Sequence, residues 1–417
     1  MDIVLIANGL TNKGEHSYRL IQEVRSVLDR RGIGCHVYAA RALDPTIVAE
    51  RIATPHFSYS LYDSIGPLAF KFLAQKLESQ WSTGGGALFD ILEVVTSKVL
   101  NRSFRRDLDS LPPDLCAPDH LLVITAIGQN QILGLIDFMR SRPQALLPNV
   151  VCQLMFAPDW TPWGRAAHYG AAYYREAFQK AEPFIDRKLF FTTENEAIAG
   201  FYREQYGLET KILPIPFAVM RQPHRADKTV RLGFFGYSKS EKGFHLLSEA
   251  AAICQVEGLD VEFHIQIQHS YWEHTVVEAE QTLRAMPNVR LIEGALSSED
   301  YAAEINKVDV MLLPYDPVSF GMRGSGIFTE SVAAGRPVIA AEGTFAAECV
   351  RNGEAQGENF SPYDARALAD AIVRLLPRLS ECMLRAAEKA QAFARAHSGE
   401  TYTDVLLAIA EKARSSA

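Results

Sequence analysis

Short unbroken apolar runs alternate with longer amphipathic stretches along almost the whole chain. In the first half the runs 3–6, 35–39, 120–126, 150–155, 190–193 and 211–216 read as strands. Continuous apolar runs mark strands of a parallel sheet, buried on both faces. Segment 17–31 places Leu20 or Ile21, Val24, Val27 and Leu28 on one helical face. Residues 128–130 open another helix, and 194–206 form one more. Strand, polar loop 8–15, helix and strand make a βαβ unit, the opening of a doubly wound sheet. Its glycines do not form G-x-G-x-x-G, so a dinucleotide fingerprint is absent.

Segment 222–228 is polar, contains Pro223 and lacks apolar periodicity, as a linker does. The pattern then restarts, with strands at 230–235, 261–267, 289–292, 308–313 and 337–340. Helices are expected at 244–257, 273–285 and 298–306, and beyond Asp364. The fold class is therefore α/β, with two doubly wound, Rossmann-like domains facing a cleft. The boundaries read as 1–220, a linker at 221–228 and a second domain at 229–380. Helices over 381–417 are expected to pack back toward the first domain.

Residues 57–118 interrupt the first domain with expected helices at 68–81 and 88–100, around Gly84-Gly85-Gly86. The second puts Leu88, Ile91, Leu92, Val95 and Val99 on one face, with Lys98, Arg102, Arg105 and Arg106 at its end. One reading is a helical insertion packed on its own domain with a solvated basic end. The other is a docking surface for a membrane or an anionic acceptor.

A length of 417 residues exceeds what one core usually serves, in line with two domains. Hydrophobic content of 48% and charged content of 22% are ordinary for a globular protein. A net charge of −8 argues against a nucleic-acid partner. The six cysteines are scattered, with no CxxC pair, as in a reducing compartment. Met1-Asp2 leads directly into a strand, without the n- and h-regions of a signal peptide, and no run reaches 18 apolar residues. A cytoplasmic location is expected, at most peripheral at the inner membrane face.

The stretch 312–341 carries the strongest chemistry. A buried strand runs into a turn, Gly321-Met322-Arg323-Gly324-Ser325-Gly326, and a short helix 327–334 that Gly335 stops as a C′ glycine. Free N–H groups and the positive end of the helix dipole make such a junction an anion site. Gly324, Ser325, Gly326 and Ile327 would offer backbone donors, and Arg323 a fixed charge. Glu330, one turn into the helix, could accept both hydroxyls of a ribose. The arrangement reads as a diphosphate and ribose cradle. Ser325 lacks the G-x-S-x-G frame of a hydrolase nucleophile. Asp159, Trp160 and Trp163 lie just beyond the strand 150–155, where open α/β sheets bind ligands. Asp107-Leu108-Asp109 reads as a chance DxD in a charged loop, and His264, His269 and His274 have no metal-ligand spacing.

Phe234-Phe235-Gly236, Glu241-Lys242-Gly243 and the helix Glu330-Ser-Val-Ala-Ala-Gly-Arg-Pro-Val-Ile together resemble a GT-B glycosyltransferase of family 4, the group 1 type. Asn288 to Gly294 is similar to that family's strand and glycine before the base-binding loop. Asn8-Gly9, Gly14, Glu15 and His16 are similar to its N-terminal glycine loop. The resemblance implies a second domain binding a nucleoside-diphosphate sugar as co-substrate, without a separate cofactor. The first domain would bind a glycan or glycolipid acceptor. It implies a diphosphate role for Lys242, with Gly236 and Tyr237 in the same loop and Gly294, Ala295 and Leu296 at the base. Gly14 would reach the diphosphate, and His16, Trp160 and Trp163 would face the acceptor. Asp159 would substitute for a histidine expected where Met155-Phe156 stand. Met322 occupies the place of the family's first glutamate, and Tyr237 that of an arginine. The implied chemistry is metal-independent, retaining transfer to a hydroxyl. The alternatives are a non-catalytic nucleotide-sugar sensor or a nucleotide-sugar epimerase.

Overall fold

Among the described residues thirteen short strands, six of them buried along their whole length, form two parallel sheets. The computed structural model describes residues 1–13, 16–63, 87–158, 170–216, 229–269 and 273–415. The expected helix 68–81, the linker 221–228, Gly14, Asp159, Trp160 and Trp163 lie outside the described residues, as does the His16 side chain. Two units are present, residues 1–213 with 402–417 and residues 214–401.

In the first unit β1 (Ile3–Ala7), β2 (Cys35–Ala40), β3 (Thr54–Phe57), β4 (Leu121–Ile124), β5 (Asn149–Gln153), β6 (Leu189–Thr193) and β7 (Lys211–Ile212) pair in the order β3-β2-β1-β4-β5-β6-β7. Every pairing is parallel; Ile3 of β1 lies opposite both Cys35 and Leu121. The helices are α1 (His16–Arg30), α2 (Pro45–Ala49), α3 (Ala87–Asp109), α4 (Ile132–Arg140), α5 (Gly170–Ala181) and α6 (Glu196–Tyr206). The strand expected over 211–216 is only two residues long, and β3 and α2 were not visible in the apolar pattern.

The second unit orders β8 (Val230–Phe234), β9 (Val261–Ile267), β10 (Val289–Glu293), β11 (Val310–Leu313), β12 (Val338–Ala341) and β13 (Gly357–Phe360) as β10-β9-β8-β11-β12-β13. Its helices are α7 (Leu247–Val256), α8 (His274–Arg284), α9 (Ser298–Lys307), α10 (Pro317–Phe320), α11 (Gly326–Ala333), α12 (Phe345–Arg351), α13 (Ala365–Leu375) and α14 (Leu379–Ala396). Successive residues of β11 serve opposite faces of the sheet. Val310 and Leu312 join the core with Phe234, Phe263 and Ile339, whereas Met311 and Leu313 join Ile327, Phe328 and Val338. That alternation follows from the two-residue side-chain period of a strand.

The last helix, α15 (Gly399–Ser415), starts in the second unit and buries Tyr402, Leu406, Ile409 and Ala413 in the core of the first, beside Leu5 and Ile21. The preceding helix α14 belongs to the second unit, where Phe393 packs edge-on to Phe328 at 6.3 Å.

Helix α3 departs from the face expected from apolar periodicity at its two valines; the side chains of Leu88, Ile91 and Leu92 lie outside the described residues. Val95 and Val99 are exposed, while Ser97, Leu100, Asn101, Phe104 and Leu108 are buried. The helix approaches α4 so closely that a Cβ on Gly134 would lie 2.2 Å from the Asn101 carbonyl oxygen. Asn101 meets that contact with its own amide: Oδ1 accepts from Gly134 N–H at 2.9 Å and Nδ2 donates to Gln129 O at 2.8 Å. Lys98, Arg102, Arg105 and Arg106 lie within the helix, not beyond its end. Asp107 is in the last turn of α3, not in a loop, and its carboxylate accepts from the N–H and Oγ of Ser58 at 2.7 and 2.9 Å.

Candidate functional site

In a doubly wound sheet the loops leaving two neighbouring strands in opposite directions open a crevice at their carboxyl ends. In the second unit those strands are β8 and β11. The first loop begins at Gly236, whose φ of +91° suits glycine. A Cβ there would lie 2.8 Å from both Lys242 Nζ and Ile327 Cδ1, so the lysine and the start of α11 meet at this glycine.

Lys242 ends a single 3-10 turn, Ser240–Lys242. Gly243 follows at φ +71°, where a Cβ would collide with the Pro314 carbonyl at 1.7 Å. The turn is held from outside: Glu273 accepts from Ser240 N–H at 3.0 Å and also from the Ser240 hydroxyl. Desolvation depresses the Lys242 ammonium to about 8. Lys239 and Arg323 add repulsion, and Glu241 and Glu330 oppose the shift.

The second loop is not a simple glycine turn. Asp316 caps α10 through Ser319 N–H at 2.9 Å, and its own N–H donates to Glu241 O at 2.9 Å. The two loops are thereby tied together. Arg323 lies 4.3 Å above the Phe320 ring and 3.6 Å from the Glu241 carboxylate, which also faces Lys239 at 3.8 Å. Its acidic partner is in the same unit. Ser325 is the N-cap of α11, accepting from Phe328 N–H at 3.3 Å, and the Tyr315 hydroxyl lies 3.3 Å from the same Oγ. The first-turn N–H groups of Gly326 and Ile327 have no intrahelical acceptor and point out of the helix start. Gly324 precedes the cap, half-buried.

All eight residues of α11 are buried. Thr329 and Ser331 return their hydroxyls to the carbonyls of Ser325 and Ile327. Glu330, 2% exposed, is the single ionisable group of the helix, and its field reaches Lys242. Three cations, two carboxylates and a helix N-terminus therefore share one crevice. Such a set can hold a multiply charged anion with dipoles and charges already in place.

Gly294 follows β10 at φ +75°; Gly294 and Ala295 are exposed and Leu296 is half-buried against the core. Tyr237 sits under the Lys239 ammonium, 5.7 Å from the ring centre. Two residues of this region went unread in the sequence, Glu273 and Gln266. Gln266, 2% exposed, accepts from Gly236 N–H and donates to Gly294 O, both at 2.8 Å. Its signal was a polar residue near the end of an otherwise buried strand. His264, His269 and His274 each face a different glutamate, Glu262, Glu280 and Glu278. Among the described residues no group of His, Cys, Asp and Glu could hold a metal ion.

In the first unit the crevice strands are β1 and β4. Asn8 follows β1, fully buried, with neither side-chain amide atom hydrogen-bonded. Its backbone carbonyl accepts from Leu61 N–H at 3.0 Å.

Residues 229–378 match the family model described as Glycosyl transferases group 1. No curated sequence matches the chain significantly. Among solved structures, the chain is similar to Anabaena HepE in complex with UDP and glucose, at 17% identity and a TM-score of 0.60, covering 98% of each chain. It is also similar to the apo lipopolysaccharide outer core galactosyltransferase WaaB, at 13% identity and 0.61, covering 98% of this chain and 99% of the other. A glycosyltransferase from Rickettsia africae gives 12% identity and 0.60, over 99% and 98%. At these identities the structural likeness is one of fold. Residues 229–378, in the second unit, thus carry the match to the group 1 glycosyltransferase family, and the chain as a whole has the two-domain, Rossmann-like fold of these glycosyltransferase structures.

Proposed function

We propose that the protein transfers a sugar, with retention, from a nucleoside-diphosphate donor to a hydroxyl of a glycan or glycolipid, without a metal. One observation carries this reading: Lys242 Nζ and the start of α11 meet at Gly236, beside Arg323 and the buried Glu330. In the reaction the bond from C1 of the sugar to the diphosphate oxygen breaks, and C1 bonds to the acceptor oxygen. The acceptor proton passes to the departing diphosphate, whose growing charge is met by Lys242, Arg323 and the N–H groups of Gly326 and Ile327. These fixed cations supply the charge that a metal would otherwise bring. Glu330 grips the ribose, and Gly294 to Leu296 the base.

We assign the acceptor to the first unit, at Asn8. A buried amide left unsatisfied costs about 1–3 kcal/mol per group, which a sugar hydroxyl would relieve. The test is release of free sugar over hours from UDP-, GDP-, ADP- and dTDP-sugars. Slow hydrolysis of one donor is expected, at a rate abolished by loss of Lys242. Tight binding with no release would instead favour the non-catalytic sensor, which the methionine at 322 allows.

The outward face of α3 supports a peripheral place on an anionic cytoplasmic membrane surface. Val95 is 52% and Val99 39% exposed, and Lys98, Arg102 and Arg106 share that side of the helix. All six cysteines are free thiols, as in a reducing compartment. No helix among the described residues is long and apolar enough to cross a membrane. The chain is expected to sediment with phosphatidylglycerol vesicles and not with phosphatidylcholine. Arg102→Glu with Arg106→Glu is expected to weaken this binding roughly tenfold or more, at about 1 kcal/mol per basic residue. Equal binding to both lipids would overturn the assignment.

A further inference from the structure

We infer that Gln266 is a positioning residue that couples the two halves of donor recognition, so that phosphate held at Gly236 prepares the base-binding loop at Gly294 to Leu296. The inference rests on the nucleoside-diphosphate reading above. Gln266 stands near the carboxyl end of β9, the strand between β8 and β10. Its Oε1 accepts from Gly236 N–H and its Nε2 donates to Gly294 O. The amide orientation is fixed by chemistry, since an N–H needs the oxygen and a carbonyl needs the nitrogen. Nε2 also lies 3.3 Å from the Gln268 Oε1.

Each loop has its own attachment to the same strand end, apart from the Gln266 side chain. Ser238 N–H donates to Gln268 O at 2.8 Å, Gln268 N–H donates to Ser238 Oγ at 3.2 Å, and Gly294 N–H donates to Ile267 O at 2.8 Å. These bonds place both loops without Gln266. What Gln266 adds is a direct side-chain link between the two. A buried amide bonded at both ends moves with both partners, because breaking either bond forfeits a hydrogen bond in a site of low dielectric. A shift of Gly236 as its turn closes on phosphate is therefore passed to the carbonyl of Gly294. Coupling of two half-sites through one bonded element is reciprocal, so base contact equally readies the phosphate turn.

The experiment uses the full chain, with inorganic pyrophosphate as the phosphate-only probe. The whole-ligand probe is whichever of UDP, GDP, ADP and dTDP the wild type binds most tightly. Gln266→Met keeps length and apolar fit but makes neither bond. It is expected to weaken the nucleoside diphosphate about tenfold by calorimetry while changing pyrophosphate affinity less than about twofold. Equal loss for both probes would make Gln266 a plain support of the phosphate turn and overturn the coupling, as would no loss for either. A wild type that binds no nucleoside diphosphate would sink the donor reading itself. Hydrogen exchange on the wild type gives a readout independent of the variant's folding. Pyrophosphate alone is expected to slow exchange across 294–296; unchanged exchange there refutes the coupling.

Discussion

Lys242→Ala lowers kcat by about 10²–10³, the loss typical when one fixed donor to a developing negative charge is removed. The pH profile then tells whether the ammonium is responsible. Desolvation holds Lys242 near 8, and a diphosphate binds the protonated form. The protonated fraction, and with it kcat/KM, is full below that value and falls tenfold per unit as pH rises above it. Lys242→Arg carries a guanidinium that stays charged throughout, so the alkaline fall disappears even though the rate is reduced by altered geometry. Initial rates between about pH 6.5 and 9.5 for the two proteins make the comparison. An identical alkaline limb in both would show that another group titrates.

Glu330→Ala raises the donor KM roughly 30- to 100-fold, since hydrogen bonds to a charged group contribute about 1.5–3 kcal/mol. The isosteric Glu330→Gln, with its melting temperature measured beside wild type, separates a binding loss from a folding loss, since removing one of two interacting buried charges is itself destabilising. The role at the ribose is isolated by a cycle. A 2′-deoxy donor loses affinity with wild type but loses little more with Glu330→Gln, because the partner hydroxyl and the partner charge form one interaction. Additive losses would place Glu330 away from the ribose. Glu330 also opposes the depression of Lys242, so Glu330→Gln moves the alkaline limb to lower pH. The two substitutions are thus linked by sign as well as by place.

The resemblance carried by Lys242-Gly243 and the 312–341 stretch rests on local pattern, and the matching family model, over residues 229–378, contains both. The pieces around it did not show. Apolar periodicity turns the outward valines of α3 inward, because it counts apolar residues and cannot weigh a buried Ser97 or Asn101 whose hydrogen bonds are met by Asn130, in the loop before α4, and by Gly134 within α4. The strands β3 and β13 escaped because edge strands are short and tolerate Pro55 or polar Glu358 and Asn359, which a central strand would not.

Runs of apolar residues sufficed to specify the central parallel strands, and a capped helix after glycine marked the candidate anion cradle, because both depend on neighbours a few residues apart. The partners of that cradle had to await the folded chain. Gln266 lies 30 residues from Gly236, Glu273 lies 33 from Ser240, and Arg323 finds its acid in Glu241. Such pairings are set by which strands lie side by side, and strand order is a choice of global packing that no local periodicity records.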